Sequence, residues 1–292
     1  MLGAIRVICV TALLLAHAGA RAADEPTHFD LSLSALGDNQ HGHSYDLNAI
    51  LTPSKRWSMA AGGGSSDADT PGATLHGTSF NADVDLQLGA FGVQPGYSHW
   101  SDDDKFSSSV PQLSVSWKNP HVKLLLLFER PGFALDYQLR VLTQTTTRHF
   151  SFSGTGFGAG LDWYGRRWSG YVTAMSYSYG NELGRARAII TNPNVQLFPR
   201  LELLSSSMAT LTRGALKDRA AAGLQYDFTR TGLHADLWRV TDAVFATHSD
   251  SVALGVEYYA IGRLSLDLSG GVTHADGLSA ARFASLTLRL HW

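Results

Sequence analysis

From Phe80 to Leu88 the chain alternates without an error: Phe80, Ala82, Val84, Leu86 and Leu88 are apolar, and Asn81, Asp83, Asp85 and Gln87 between them are polar. Successive side chains of a strand point to opposite faces, so this segment offers one greasy face and one wet one. The same period of two returns along the chain. It is carried by Phe29, Leu31 and Leu33, by Tyr45, Leu47, Ala49 and Leu51, by Leu113, Val115 and Trp117, and by Phe157, Ala159, Leu161 and Trp163. It continues through Leu224, Tyr226 and Phe228, through Val252, Leu254, Val256 and Tyr258, and through Leu264, Leu266 and Leu268. No long stretch repeats apolar residues at helical spacing. A soluble sandwich produces one such strand. A dozen in succession ask for lipid on one face and water on the other, and for closure, because an open sheet edge has no partners in lipid.

The two ends of the chain say where such a sheet is placed. Arg282 to Trp292 puts Ala284, Leu286, Leu288, Leu290 and Trp292 on one face, and Phe283, Ser285, Thr287, Arg289 and His291 on the other. An alternating last strand that ends on an aromatic residue resembles the C-terminal strand of the bacterial outer-membrane β-barrel proteins. The resemblance implies a transmembrane antiparallel up-and-down barrel in the outer membrane of a Gram-negative bacterium. It also implies that Leu288, Leu290 and Trp292 form the signal read by the barrel-assembly machinery. Residues 1–22 read as a secretory signal peptide: Arg6 is its positive start, Val7 to Leu15 a short apolar core, and Ala20-Arg21-Ala22 the cleavage site, with Ala18-Gly19-Ala20 a second. The mature chain, 23–292, is then one barrel domain. The single cysteine, Cys9, lies in the signal, so no disulfide supports the mature fold.

Composition agrees. Charged residues are 16% of the chain against about 25% in ordinary globular proteins, and the net charge is −2. That balance gives no basic footprint for nucleic acid. After the signal no run of about eighteen apolar residues could cross a bilayer as a helix. Short turns are expected at Thr52–Arg56, Gly89–Gly92, Lys118–His121, Tyr164–Arg167, Thr229–Gly232 and Ile261–Arg263. Six short turns with both chain ends on the same side give about fourteen strands. If Arg130-Pro131-Gly132 is a true loop and Tyr179 to Gly184 a turn, the count is sixteen; if one weak pair is only loop, it is twelve. Gly62 to Gly77 reads as a flexible Gly- and Ser-rich loop, and Gly180 to Leu216 as a long irregular one. Trp57, Phe91, Trp117, Trp163, Tyr164 and Phe228 sit beside the turns, where an aromatic girdle belongs.

Candidate functional residues follow from the faces. With the apolar face toward lipid, Asp30, Asp46, Asp83, Asp85, Asp136, Asp162, Asp227, Asp236, Glu257 and Asp267 point inward, against Lys123, Arg140, Arg219 and Arg289. An acidic wall favours cations if the lumen is open; otherwise the charges pair and fill it. Asp83, Asp85, Asp227 and Asp267 are expected at similar depth. No cluster of aromatics marks a sugar path. These features suit a narrow channel for small solutes or a structural barrel binding at its loops, with membrane lipid and lipopolysaccharide as neighbours. A different class of function comes from His99-Trp100-Ser101. His99 and Ser101 share the lipid face, and such a pair can attack an ester. The motif is similar to the His-x-Ser element of outer-membrane phospholipases and of a lipid A deacylase family, which implies lipid hydrolysis with His99 as base and Ser101 as nucleophile. Here Asp102 follows the serine, and the returning strand offers Gln112 and Ser114 where those phospholipases have an asparagine to orient the histidine. His41-Gly42-His43 supplies two nitrogen donors with no carboxylate close by, so neither a metal nor any other cofactor is expected.

Overall fold

The computed structural model describes residues 28–39, 41–70, 73–102, 106–141, 144–190, 214–261, 263–277 and 279–292; the signal peptide and its cleavage site lie outside them. Fifteen strands form one sheet: β1 (His28–Asp38), β2 (His43–Ser54), β3 (Trp57–Thr70), β4 (Ala73–Leu88), β5 (Phe91–Asp102), β6 (Phe106–Lys118), β7 (Val122–Glu129), β8 (Gly132–Val141), β9 (Gln144–Tyr164), β10 (Trp168–Tyr179), β11 (Leu216–Asp227), β12 (Thr231–Asp242), β13 (His248–Ile261), β14 (Leu264–Ala275) and β15 (Ala281–His291). Each is antiparallel to its neighbours, and β15 pairs with β1, Leu31 opposite Leu290, so the sheet closes. The seam is fastened at its end by Phe29 and Trp292, whose backbones exchange two hydrogen bonds at 3.1 and 2.9 Å while their rings lie 5.4 Å apart.

The barrel has fourteen walls, not fifteen, because β7 and β8 are one strand. Against β6, Gln112 faces Glu129 and, three steps on in both strands, Ser109 faces Gly132; the register does not shift. Against β9, Glu129 faces Gly156 and Gly132 faces Ser153, again unshifted. Arg130 N still donates to Pro111 O, and Gly154 N to Pro131 O. Arg130-Pro131-Gly132 is therefore no loop. The ladder is interrupted only because Pro131 and Pro111 have no N–H to give.

The six expected short turns all lie at one end, together with both strand termini. Gly89 turns with φ of 68°, a left-handed conformation that suits glycine, and Asn119 Oδ1 caps its turn by accepting from His121 N and Val122 N at 2.8 Å. The expected flexible loop over Gly62 to Gly77 is not there. β3 runs to Thr70 and β4 begins at Ala73. The glycines serve the strand: a Cβ on Gly62 or Gly64 would meet the side chains of Asn48 and Asp46 on β2. The segment after β10 begins with a helix, α1 (Glu182–Ile190); residues 191–213 are outside the described set.

Leu33, Leu86, Leu113, Leu126, Phe157, Leu224, Leu237, Leu254, Leu268 and Leu288 are among the large apolar side chains left exposed on the outside of the barrel. They continue as a belt around the turn-proximal half of the wall, the surface that lipid would cover. Phe91, Trp117, Trp168, Phe228 and Trp292 edge the belt near the turns. There the Tyr226 ring lies 4.5 Å from that of Trp168 and 4.7 Å from that of Phe228. Tyr164, expected in this girdle, instead shares the inward face with Asp162, to which its hydroxyl donates at 3.4 Å.

Candidate functional site

The inside of the barrel has two levels. On the turn side it is polar and acidic. A cavity of about 410 Å³ is bounded by Asp162, Tyr164, Tyr171, His234, Asp236, Glu257, Asp267 and Arg289, with smaller groups between them. Glycines make the room: a Cβ on Gly223 would strike the Tyr171 ring, and one on Gly255 the His234 ring. His234 is held between two carboxylates, Nδ1 2.9 Å from Asp236 Oδ2 and Nε2 2.8 Å from Asp267 Oδ2. An imidazole satisfies both by donating from each nitrogen, as the imidazolium. Tyr171 donates to the other oxygen of Asp236 at 2.9 Å. Glu257 accepts from Arg289 at 2.9 Å, from Ser265 at 3.0 Å and from Tyr259 at 2.9 Å.

Three further inward carboxylates are bonded by side-chain amides. Asp83 accepts from Gln94 at 2.7 Å, Asp85 from Gln87 at 2.8 Å and Asp227 from Gln225 at 2.7 Å. Asp236, Glu257 and Asp267 are thus bonded by His234 or Arg289, while Asp83, Asp85 and Asp227 are bonded by glutamine amides. Of the four aspartates expected at one depth, only Asp267 borders the cavity. Asp136 is a correction: it lies outside, 2.7 Å from His149, because the expected greasy face is reversed at this height.

Halfway up, a chord crosses one side of the lumen. Glu129 of β7 accepts from Arg219 of β11 at 2.6 Å and from Tyr177 of β10 at 2.7 Å. The inward face of β9, which lies between, is glycine at Gly154, Gly156, Gly158 and Gly160. The rings of Tyr177 and Tyr179 lie flat on Gly156 and Gly154, where any Cβ would overlap them. Above the chord an apolar cluster fills part of the lumen. Trp100, Phe106, Phe133 and Phe152 are 1 to 6% exposed, and neighbouring rings along this row are 4.9 to 6.0 Å apart. Phe150 extends the row at 6.0 Å from Phe152. Leu183, Ala186 and Ile189 of α1 close over it, joined by Val244 and Phe245 from the β12–β13 connection. Arg187 anchors the helix by donating to Ala243 O at 2.9 Å. The sequence offered no aromatic cluster; the fold makes one from four strands.

His99 and Ser101 share the outward face, but the structure does not join them. His99 Nδ1 is 2.9 Å from Ser109 Oγ, and Ser101 Oγ is 3.4 Å from Thr78 Oγ1. A serine that is to be deprotonated must bond its base. Folded protein is therefore expected to release no fatty acid from phospholipid or lipid A, with or without calcium. Release that vanishes on Ser101→Ala would reinstate the hydrolase. His43, read alone as half of a metal pair, bonds Asp67 at 2.9 Å, which also bonds His76.

No protein-family model and no curated protein matches the sequence. The monoaromatic hydrocarbon channel CymD superposes with a TM-score of 0.54 at 8% identity, over 92% of this chain and 89% of CymD. A loop-deletion variant of OmpT, an outer-membrane protein of Vibrio cholerae, gives 0.50 at 12% identity, over 91% and 98%. The fold is that of the bacterial outer-membrane β-barrels. At such identities the likeness concerns architecture, and the residues inside the barrel must be judged on their own chemistry.

Proposed function

We propose that this chain is an outer-membrane channel for small solutes, exported with cleavage after Ala22 and inserted through recognition of its last strand. The observation that carries the reading is the closed fourteen-wall barrel with an acidic cavity of about 410 Å³ inside an apolar outer belt. A purely structural barrel would gain nothing from placing Asp83, Asp85 and Asp227 inside with no cation beside them. The channel described for CymD supports the reading, since a barrel of similar architecture conducts small molecules.

The test is flux into proteoliposomes of purified, heat-modifiable protein. Small uncharged solutes should enter faster than into empty vesicles, and large sugars should not. Equal rates with and without protein would sink the channel. Ionic current in planar bilayers should be small, because the aromatic row lies across the path, and what passes should prefer cations. Changing Asp83 and Asp85 together to Asn should reduce that preference without loss of folded protein, and raising the salt should reduce it too. An anion preference, or one unmoved by the substitution, would remove these aspartates from the conducting path.

A further inference from the structure

Asp162, Tyr171, Gly223 and Asp236 stand directly opposite one another on β9, β10, β11 and β12, and all four border the turn-side cavity. Gly223 has no side chain, and the Tyr171 ring lies over it, where any Cβ would overlap the ring. The row is thus a carboxylate, a flat tyrosine ring and a second carboxylate. We propose that this cavity binds a short aliphatic diamine, one ammonium group at Asp162, the other at Asp236 and Asp267, and the methylenes across Tyr171. Transport of the diamine rests on the channel reading; its binding does not.

Charge is the first argument. Of the six ionisable side chains other than tyrosine on the lining, four are acids and two are bases. Arg289 answers Glu257 at 2.9 Å. His234, as an imidazolium, answers only one of the two carboxylates it bonds, Asp236 and Asp267. Asp162 has no base within 4 Å among the described residues; its one bond comes from the Tyr164 hydroxyl, at a long 3.4 Å. One negative charge is therefore left over at each end of the row. The cavity, at about 410 Å³, is within the range of about 300–1,000 Å³ usual for small-molecule sites.

Spacing is the second argument. Asp162 and Asp236 are three strand intervals apart, roughly 14 Å along the wall at about 4.8 Å per interval, and less between side-chain tips that converge inside the barrel. A divalent metal ion keeps its ligands within about 2.6 Å and cannot serve both ends. Two ammonium groups on one flexible chain can. The floor is the third argument. An ammonium group donates three hydrogen bonds, and Asp162 and Asp267 each keep one oxygen that is unbonded among the described residues. Between the two ends, the Tyr171 ring offers its apolar face to methylenes, and the negative charge of that face favours the flanking cations.

Calorimetry on the full mature chain tests this, in nanodiscs of phosphatidylcholine, whose headgroup has no net charge, with empty discs as the blank. Putrescine, the four-carbon diamine, should bind saturably. Butylamine, with one ammonium group, and magnesium chloride should each bind about tenfold more weakly or worse, the scale of one lost charged hydrogen bond. Asp162→Asn should bring putrescine down to the level of butylamine while the barrel stays heat-modifiable. Putrescine heat no greater than that of empty discs would overturn the site. Butylamine or magnesium binding as tightly as putrescine, or putrescine unmoved by Asp162→Asn, would overturn the two-ended arrangement. Saturable putrescine binding with no solute flux into vesicles would sink the channel and spare the site. Solute flux with no putrescine heat would do the reverse.

Discussion

Replacing Trp292 with Asp is expected to leave almost no assembled barrel in the outer membrane. Trp292 is the residue at which the sheet meets itself: its backbone exchanges two hydrogen bonds with Phe29, and its ring packs on the Phe29 ring. It is also half exposed on the outer surface at the edge of the apolar belt. A carboxylate there would be placed at the lipid interface beside the closing seam, a cost of about 1 kcal/mol or less. The larger effect is kinetic. If the last strand is what the assembly machinery reads, the variant chain is never committed to insertion. The measurement is gel mobility of outer-membrane fractions with and without boiling. Normal amounts of the heat-modifiable form would overturn both the seam argument and the recognition of Leu288, Leu290 and Trp292. Trp292→Phe should assemble normally, because it keeps an aromatic ring in the belt.

Arg219→Met should be the most destabilising single change inside the wall. It removes a cation that bonds Glu129 at 2.6 Å and leaves a carboxylate only 9% exposed. Stranding a buried charge typically costs about 3–5 kcal/mol. Arg219 is partly open to the lumen, so about 2–3 kcal/mol is expected after allowing for water. Glu129→Gln combined with Arg219→Met removes the stranded charge and should recover most of the loss, since Tyr177 can still donate to the amide oxygen. The check is the urea midpoint of unfolding in lipid vesicles for wild type, single and double variants. A single variant that unfolds where wild type does would mean the chord carries no load.

Much of this fold can be read in the residues, and the failures have physical causes. β4 is unmistakable because lipid and water impose opposite demands on alternate positions. The strand count holds at fourteen because the six turns have their own signals, such as Gly89 and Asn119. Gly62 to Gly64 misled because glycine marks a turn in one setting and a close approach in another; only the partners Asn48 and Asp46 decide. Pro131 misled for a related reason, since its missing donor interrupts a strand without ending it.

The aromatic row was hidden by a change of phase that the sequence does contain. In β9 the apolar residues stand at Phe150 and Phe152, then at Phe157, Ala159 and Leu161. The shift from even to odd positions falls where the outside of the barrel changes from water to lipid. β8 and β7 show the same switch between Phe133, Leu135 and Leu124, Leu126. Above that level the greasy face turns inward, and Asp136 turns out with the polar one. The chord could not have been foreseen: Glu129 and Arg219 are 90 residues apart and meet across two strands, of which β9 presents glycine at this level.

The two prolines at the junction of β7 and β8 have a mechanical consequence. Pro111 cannot return the bond that Arg130 gives it, and Pro131 cannot return the one from Gly154. Two neighbouring ladders therefore each lack a rung at the same height, beneath the aromatic row. A closed barrel is stiff because every rung resists shear, so a missing pair concentrates strain along one line. Bending of the wall meets less resistance along this line than along a fully bonded stretch of the same strands. The crease sits beside a cavity of about 110 Å³, of which Pro131 is itself a wall. The wall thus yields at the level where the inside is most crowded, as a collar has its opening where it must pass the head.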